Sequence, residues 1–283
     1  MAQMIETPAA PPSGGGPAPD SLLPGSISRP ERRDVVGIPI SVLDYDGAVA
    51  AIIAAARRAE PCLVTALAVH GVVEARSRPD MKTAIAGFDI VTPDGQPVRM
   101  ALNLLHRAGL ADRVYGPTLM LRLCAAAAEA GLPIYLYGST QEVVGALALR
   151  LRDRFPGLQI AGHEPSLFRP LDAADSAALG ARIRASGARM VFVGLGCPRQ
   201  ELFAHAHRDI IGLPQICVGA AFDFHAGNKR QAPRWMQDHA LEWLYRLGQE
   251  PRRLLRRYAV TNTVFLFALA RQSAGHILIG GRK

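Results

Sequence analysis

At 283 residues, 49% of them hydrophobic, the chain is long enough to bury a large core as one domain or as a domain with an appendage, which excludes a disordered protein. Its four cysteines, Cys62, Cys124, Cys197 and Cys217, are scattered with no CxxC pair, so neither a zinc site nor a disulfide framework is suggested and a reducing cytosol is the natural compartment. The net charge of +8 is concentrated: residues 1–228 carry 21 Lys+Arg against 21 Asp+Glu, and residues 229–283 carry 11 against 3, the pattern of a neutral body with an electrostatic docking end.

In chain order, the first 30 residues hold seven prolines and four glycines, a composition that predicts a disordered leader over 1–34; it lacks the basic and apolar regions of a secretory signal. No stretch reaches the ~20 apolar residues of a spanning helix. From 35 to 228, short β-branched runs alternate with longer amphipathic ones. Strands are predicted at 62–69, 88–93, 133–138, 158–162, 190–194 and 215–219, and helices at 44–59, 97–108, 117–130, 140–154, 172–186 and 198–208. This βαβ rhythm predicts an α/β fold, a mostly parallel sheet covered on both faces, with ligands at the carboxyl ends of the strands.

Three polar breaks fall at those ends. In DIVTPDGQP, Asp94 follows a buried strand and precedes glycine, fitting either a turn aspartate bonded to its own backbone or a catalytic carboxylate at the ligand edge. In YGSTQEVV, Ser139 and Glu142 fit a capping box, and the helix start serves either as an ordinary cap or as a phosphate cradle. VFVGLGCPRQE is half of a dinucleotide fingerprint, but Arg199 stands where its third glycine belongs.

The tail, residues 229–283, is a basic appendage. EPRRLLRRYAVTNTVFLFALA places Arg252, Arg253, Arg256 and Arg257 ahead of an apolar block at 264–270. Nucleic acid, an anionic membrane and an acidic partner all attract such a cluster. A nucleic-acid-binding protein lacks support from any helix-turn-helix, RRM or aromatic platform, and a nucleotide-dependent oxidoreductase lacks the third glycine and the acid after the next strand. His205 and His207, two apart on a helix, are poor joint metal ligands and are expected to face solvent; His225 and His239 add no pattern of ligands. Trp235, Trp243 and Tyr245 fit membrane anchors and packing residues equally.

Taken together, PDG, RVYGPTLM, YLYGST, VFVGLGCPRQE, GAAFDFHAG and APRWMQDHALEWLYRLGQEPRRLLRRY resemble the WecG/TagA/CpsF glycosyltransferases over about 35–267. The resemblance implies a Rossmann-like α/β catalytic domain with a C-terminal helical membrane-docking appendage. It implies an inverting enzyme, without cofactor or metal, that moves a sugar such as N-acetylmannosamine or glucose from a UDP-sugar to a polyprenyl-diphosphate-linked saccharide at the inner face of the cytoplasmic membrane. By the same resemblance, Asp94 matches the proposed general base. Thr65 and Gln200 match residues that hold sugar hydroxyls, Arg113 offsets charge on departing UDP, and Asp223 matches the aspartate of GxxFD. Arg246, Arg253 and Arg256 point toward the acceptor diphosphate and the membrane. The family resemblance implies that UDP is held without a metal, while Ala68 departs from an asparagine common in relatives.

Overall fold

A computed structural model describes residues 29–238 and 241–280. The proposed leader lies mostly outside the described residues, but its last residues do not: an antiparallel hairpin, β1 (Arg32–Val35) and β2 (Ile38–Ser41), begins within it. There follow α1 (Tyr45–Arg58), β3 (Leu63–Leu67), α2 (Val69–Ser77), α3 (Pro79–Ala86), β4 (Ile90–Pro93), α4 (Gln96–His106), α5 (Gly116–Ala130), β5 (Ile134–Gly138), α6 (Gln141–Arg154) and β6 (Ile160–Glu164). The chain continues through α7 (Ala173–Ala185), β7 (Met190–Gly194), α8 (Arg199–Ala206), α9 (Arg208–Ile211), β8 (Gln215–Cys217), α10 (Ala221–His225), α11 (Arg234–Asp238), α12 (Glu242–Gln249) and α13 (Pro251–Gly280).

Strands β3 to β8 form one parallel sheet in the order β4-β3-β8-β7-β5-β6. Alternate side chains supply two cores. Leu63, Leu67, Val91, Tyr137 and Val193 pack with α2, α3, α4, α7 and α8, whereas Val64, Ile90, Leu136, Phe192 and Ile216 pack with α1, α5, α6 and α10. The result is the three-layer α/β arrangement the strand and helix rhythm implies. The sequence reading gave no span for the two helices between β3 and β4. Positions 69 and 71–73 of α2 are all buried, so no polar stripe marks the helix, and Pro79 starts α3 at its first turn.

The sheet brings its polar loops together through close contacts between strand ends. Gly138 and Gly194 lie in register, and a Cβ on Gly138 would stand 2.7 Å from the Gly194 carbonyl, so the loops after β5 and β7 leave side by side. Ser139 then adopts a left-handed backbone (φ 56°) and donates its N–H to the Gly194 carbonyl. The helix cap expected at Ser139 is therefore Thr140, whose side chain accepts from the Val143 N–H. His207 is a second correction: α8 ends at Ala206, and the turn carries His207 inward, where it stacks on Phe203 and bonds Ser176 rather than facing solvent.

The tail is joined to the body along much of its length. Phe265 and Ala268 of α13 belong to the same core as α2, and Gln272 accepts from the Val36 N–H and donates to Asp34 of the hairpin.

Candidate active site

Asp94 follows β4 directly, its N–H bonded to the Leu67 carbonyl of the neighbouring strand. Its Oδ1 accepts from the N–H of Gly116, the first residue of α5, at 2.7 Å, so the carboxylate faces a helix N-terminus. Burial nevertheless pushes its carboxyl up to about 6; Arg113, the Gly116 bond and Arg246 act against burial, and Glu242 acts with it. A carboxylate so placed is ionised at neutral pH and basic enough to take a proton from a hydroxyl.

Beside it lies a charge cluster that joins body and tail. Glu242, from α12, accepts from Arg113 Nη2 at 2.7 Å and from the Tyr115 hydroxyl at 2.8 Å, and pairs with Arg246 Nη2 at 2.9 Å. Burial would raise the Glu242 carboxyl, but Arg246 and Arg113 outweigh it and hold it low. Arg113 also lies over the Tyr115 ring and Arg246 over Phe224, the residue after Asp223. Asp223 itself is half-buried on α10, its main-chain carbonyl accepting from Asn228 and Lys229.

The third group stands at β3, β7 and β8. Thr65 is fully buried and donates its hydroxyl to Glu201 Oε1 at 2.8 Å; it was expected to hold a sugar hydroxyl, and instead it faces inward. Gln200 donates to the same Glu201 oxygen and accepts from the Gly196 N–H. The groups share one edge: a methyl placed on Gly116 would lie 3.7 Å from Asp94 Oδ1 and 3.8 Å from the Val218 carbonyl, and one on Gly219 would lie 3.2 Å from Gln200 Oε1.

The chain that forms this edge has relatives among known proteins. Residues 33–277 match the family described as glycosyl transferase, WecG/TagA/CpsF. The chain belongs to the WecG/TagA/CpsF glycosyltransferase family. It is 31% identical over 194 residues to an N-acetylglucosaminyldiphosphoundecaprenol N-acetyl-beta-D-mannosaminyltransferase of Bacillus spizizenii, covering 68% of this chain and 72% of the relative.

In this glycosyltransferase the tail arginines divide. Arg246 enters the cluster around Asp94, Arg256 is exposed on α13, and the side chain of Arg253 lies outside the described residues. Arg257, expected only as one of the basic cluster that meets a membrane, is half-buried, its Nε enclosed and without a hydrogen-bond partner among the described residues; burial and then Arg257 lower the pKa of the His70 ring. Ala68 caps α2 without a side-chain bond and lies against Gly95, beside Asp94. Among the described residues no three of His, Cys, Asp and Glu are grouped to hold a metal, and no helix is long and apolar enough to cross a membrane. The sequence reading missed Glu242, Tyr115 and Glu201. The one usable signal was Glu242, an acid within a tail that holds three acids among 11 basic residues.

Proposed function

We propose that this glycosyltransferase moves N-acetylmannosamine, or a closely similar sugar, from a UDP-sugar to a polyprenyl-diphosphate-linked saccharide, by single displacement with inversion and without a metal. The observation that carries the reading is Asp94, basic and half-buried at the sheet edge, beside the cluster that holds Arg113 and Arg246. The acceptor hydroxyl gives its proton to the Asp94 carboxylate as its oxygen bonds to the anomeric carbon. The bond from that carbon to the diphosphate oxygen breaks on the opposite face, and its electron pair leaves with UDP. Arg113 and Arg246 offset the growing negative charge in a site where burial strengthens their field. Gln200 binds the donor sugar, and Asp223 lies on the element that contacts Arg246. The name of the Bacillus relative supports the choice of sugar and of lipid-linked acceptor.

The protein works from the inner membrane face, where exposed Arg256 and the outward side of α13 meet anionic lipid. A product assay with a panel of UDP-sugars and a diphosphate-linked N-acetylglucosamine acceptor in excess EDTA tests the reaction, and NMR of the new linkage reads its anomeric configuration. Activity that disappears in EDTA and returns with manganese would overturn the metal-free reading; a retained anomeric configuration would overturn the single displacement.

A further inference from the structure

The Glu201 side chain is fully buried, and the chemistry outlined above gives it nothing to do. Its Oε1 nevertheless receives two hydrogen bonds from different elements, from Thr65 on β3 at 2.8 Å and from the Gln200 amide at 2.9 Å. Its Oε2 is enclosed and meets only the Cys197 thiol, a weak donor, with no stronger hydrogen-bond partner among the described residues. An ionised carboxylate rarely leaves a buried oxygen so weakly satisfied, because its desolvation then goes largely uncompensated. A neutral acid fits better, with the accepting oxygen toward Thr65 and Gln200. Burial pushes this carboxyl up in the same direction.

The bond to Glu201 constrains Gln200 in a particular way. A free glutamine amide turns over readily, exchanging donor and acceptor ends. Here Nε2 is committed to Glu201 and Oε1 to the Gly196 N–H at 3.2 Å, so only one orientation satisfies both neighbours. Gly196 lies in the loop after β7, and Gly219, in the loop after β8, approaches the same amide oxygen. The orientation of one amide thereby ties together the loops that border the donor side of the site.

We propose that Glu201 is a positioning residue that fixes the amide orientation of Gln200, so that Gln200 presents one Nε2 hydrogen and one Oε1 lone pair to the donor sugar. This rests on the reading of Gln200 as a donor-sugar contact. Thr65 acts from inside the sheet, holding the Glu201 oxygen in place.

The test combines kinetics with a measurement that needs no turnover. Donor KM and kcat with UDP-N-acetylmannosamine are compared for wild type, Glu201→Ala, Glu201→Gln, Gln200→Ala and the double alanine variant. Glu201→Ala raises donor KM about tenfold or more with a smaller change in kcat. Glu201→Gln keeps an accepting oxygen and recovers most of that loss. In the Gln200→Ala background, removing Glu201 costs less than about a further twofold. Equal losses in both backgrounds, or a glutamine variant as impaired as alanine, overturn the proposal. If the alanine variant does not fold, Glu201→Met fills the space without an oxygen and takes its place. A wild-type protein that neither transfers sugar nor binds UDP would sink the donor reading instead. The positioning claim is then decided by the side-chain amide resonances of Gln200: two separate, persistent signals in wild type that merge or broaden without Glu201 support it, and unchanged signals overturn it.

Discussion

At the scale of single residues, Asp94 binds its proton more tightly in the folded chain than in the unfolded one. Its carboxyl is raised to about 6, against about 4 for an unperturbed aspartate. Folding is therefore favoured most below the unfolded value, loses stability as pH rises toward 6, and stays lower above it. At pH 7 the ionised group costs on the order of 2–3 kcal/mol. Asp94→Asn should thus unfold at a higher temperature than wild type at pH 7 while losing about 10²–10⁴ in turnover, read by calorimetry and product assay on one preparation. For the wild type, kcat/KM should rise through an acid limb near 6. Glu242 pushes that limb upward, so Glu242→Gln should move it to lower pH; a limb that stays in place would separate Glu242 from the base. Glu242→Ala should also destabilise by about 3–5 kcal/mol, because it strands Arg113 in a buried pair, and thermal unfolding reads that loss.

At the scale of elements, α13 has two dissimilar sides. Phe265 is 1% exposed and packs in the core with α2, whereas Leu266 and Phe267, on the opposite side, are 60% and 74% exposed. The apolar block at 264–270 looks uniform in sequence, yet only part of it is available to a membrane. Phe265→Ala should cost about 3–5 kcal/mol, and Phe267→Ala should stay within about 0.5 kcal/mol, as thermal or denaturant unfolding will show. Deleting the tail from residue 229 would remove Phe265 and Ala268 from the core as well as the basic cluster, so loss of membrane binding by such a truncation would not isolate docking.

At the scale of the whole molecule, Glu242 links the tail to the edge that holds Asp94, and α13 links it to the core, so the tail is packed against the body at two places. The sharper test of docking is to replace Leu266 and Phe267 together with aspartate. Vesicle flotation should then fall for bilayers rich in anionic lipid and fall further with salt, while the unfolding temperature holds steady. Binding equal to wild type would remove the outward side of α13 from the docking surface.

The parallel sheet was legible along the chain because every strand but the edge strand β6 is a short, mainly apolar buried run and most helices carry a polar stripe, and both signals are local. Asp94 was legible for a similar reason, since a carboxylate directly after a buried strand falls at the ligand edge wherever the sheet is parallel. The hairpin was not, because three of the four β1 residues are charged, and the span of α2 was not, because a helix buried around most of its girth lacks a period to read. Glu242 and Glu201 were hidden for a deeper reason. Glu242 lies 129 residues from Arg113, and Glu201 lies 136 residues from Thr65. A buried charge or acid takes its meaning from the groups that surround it, and those are chosen by how β3, α8 and α12 converge in space.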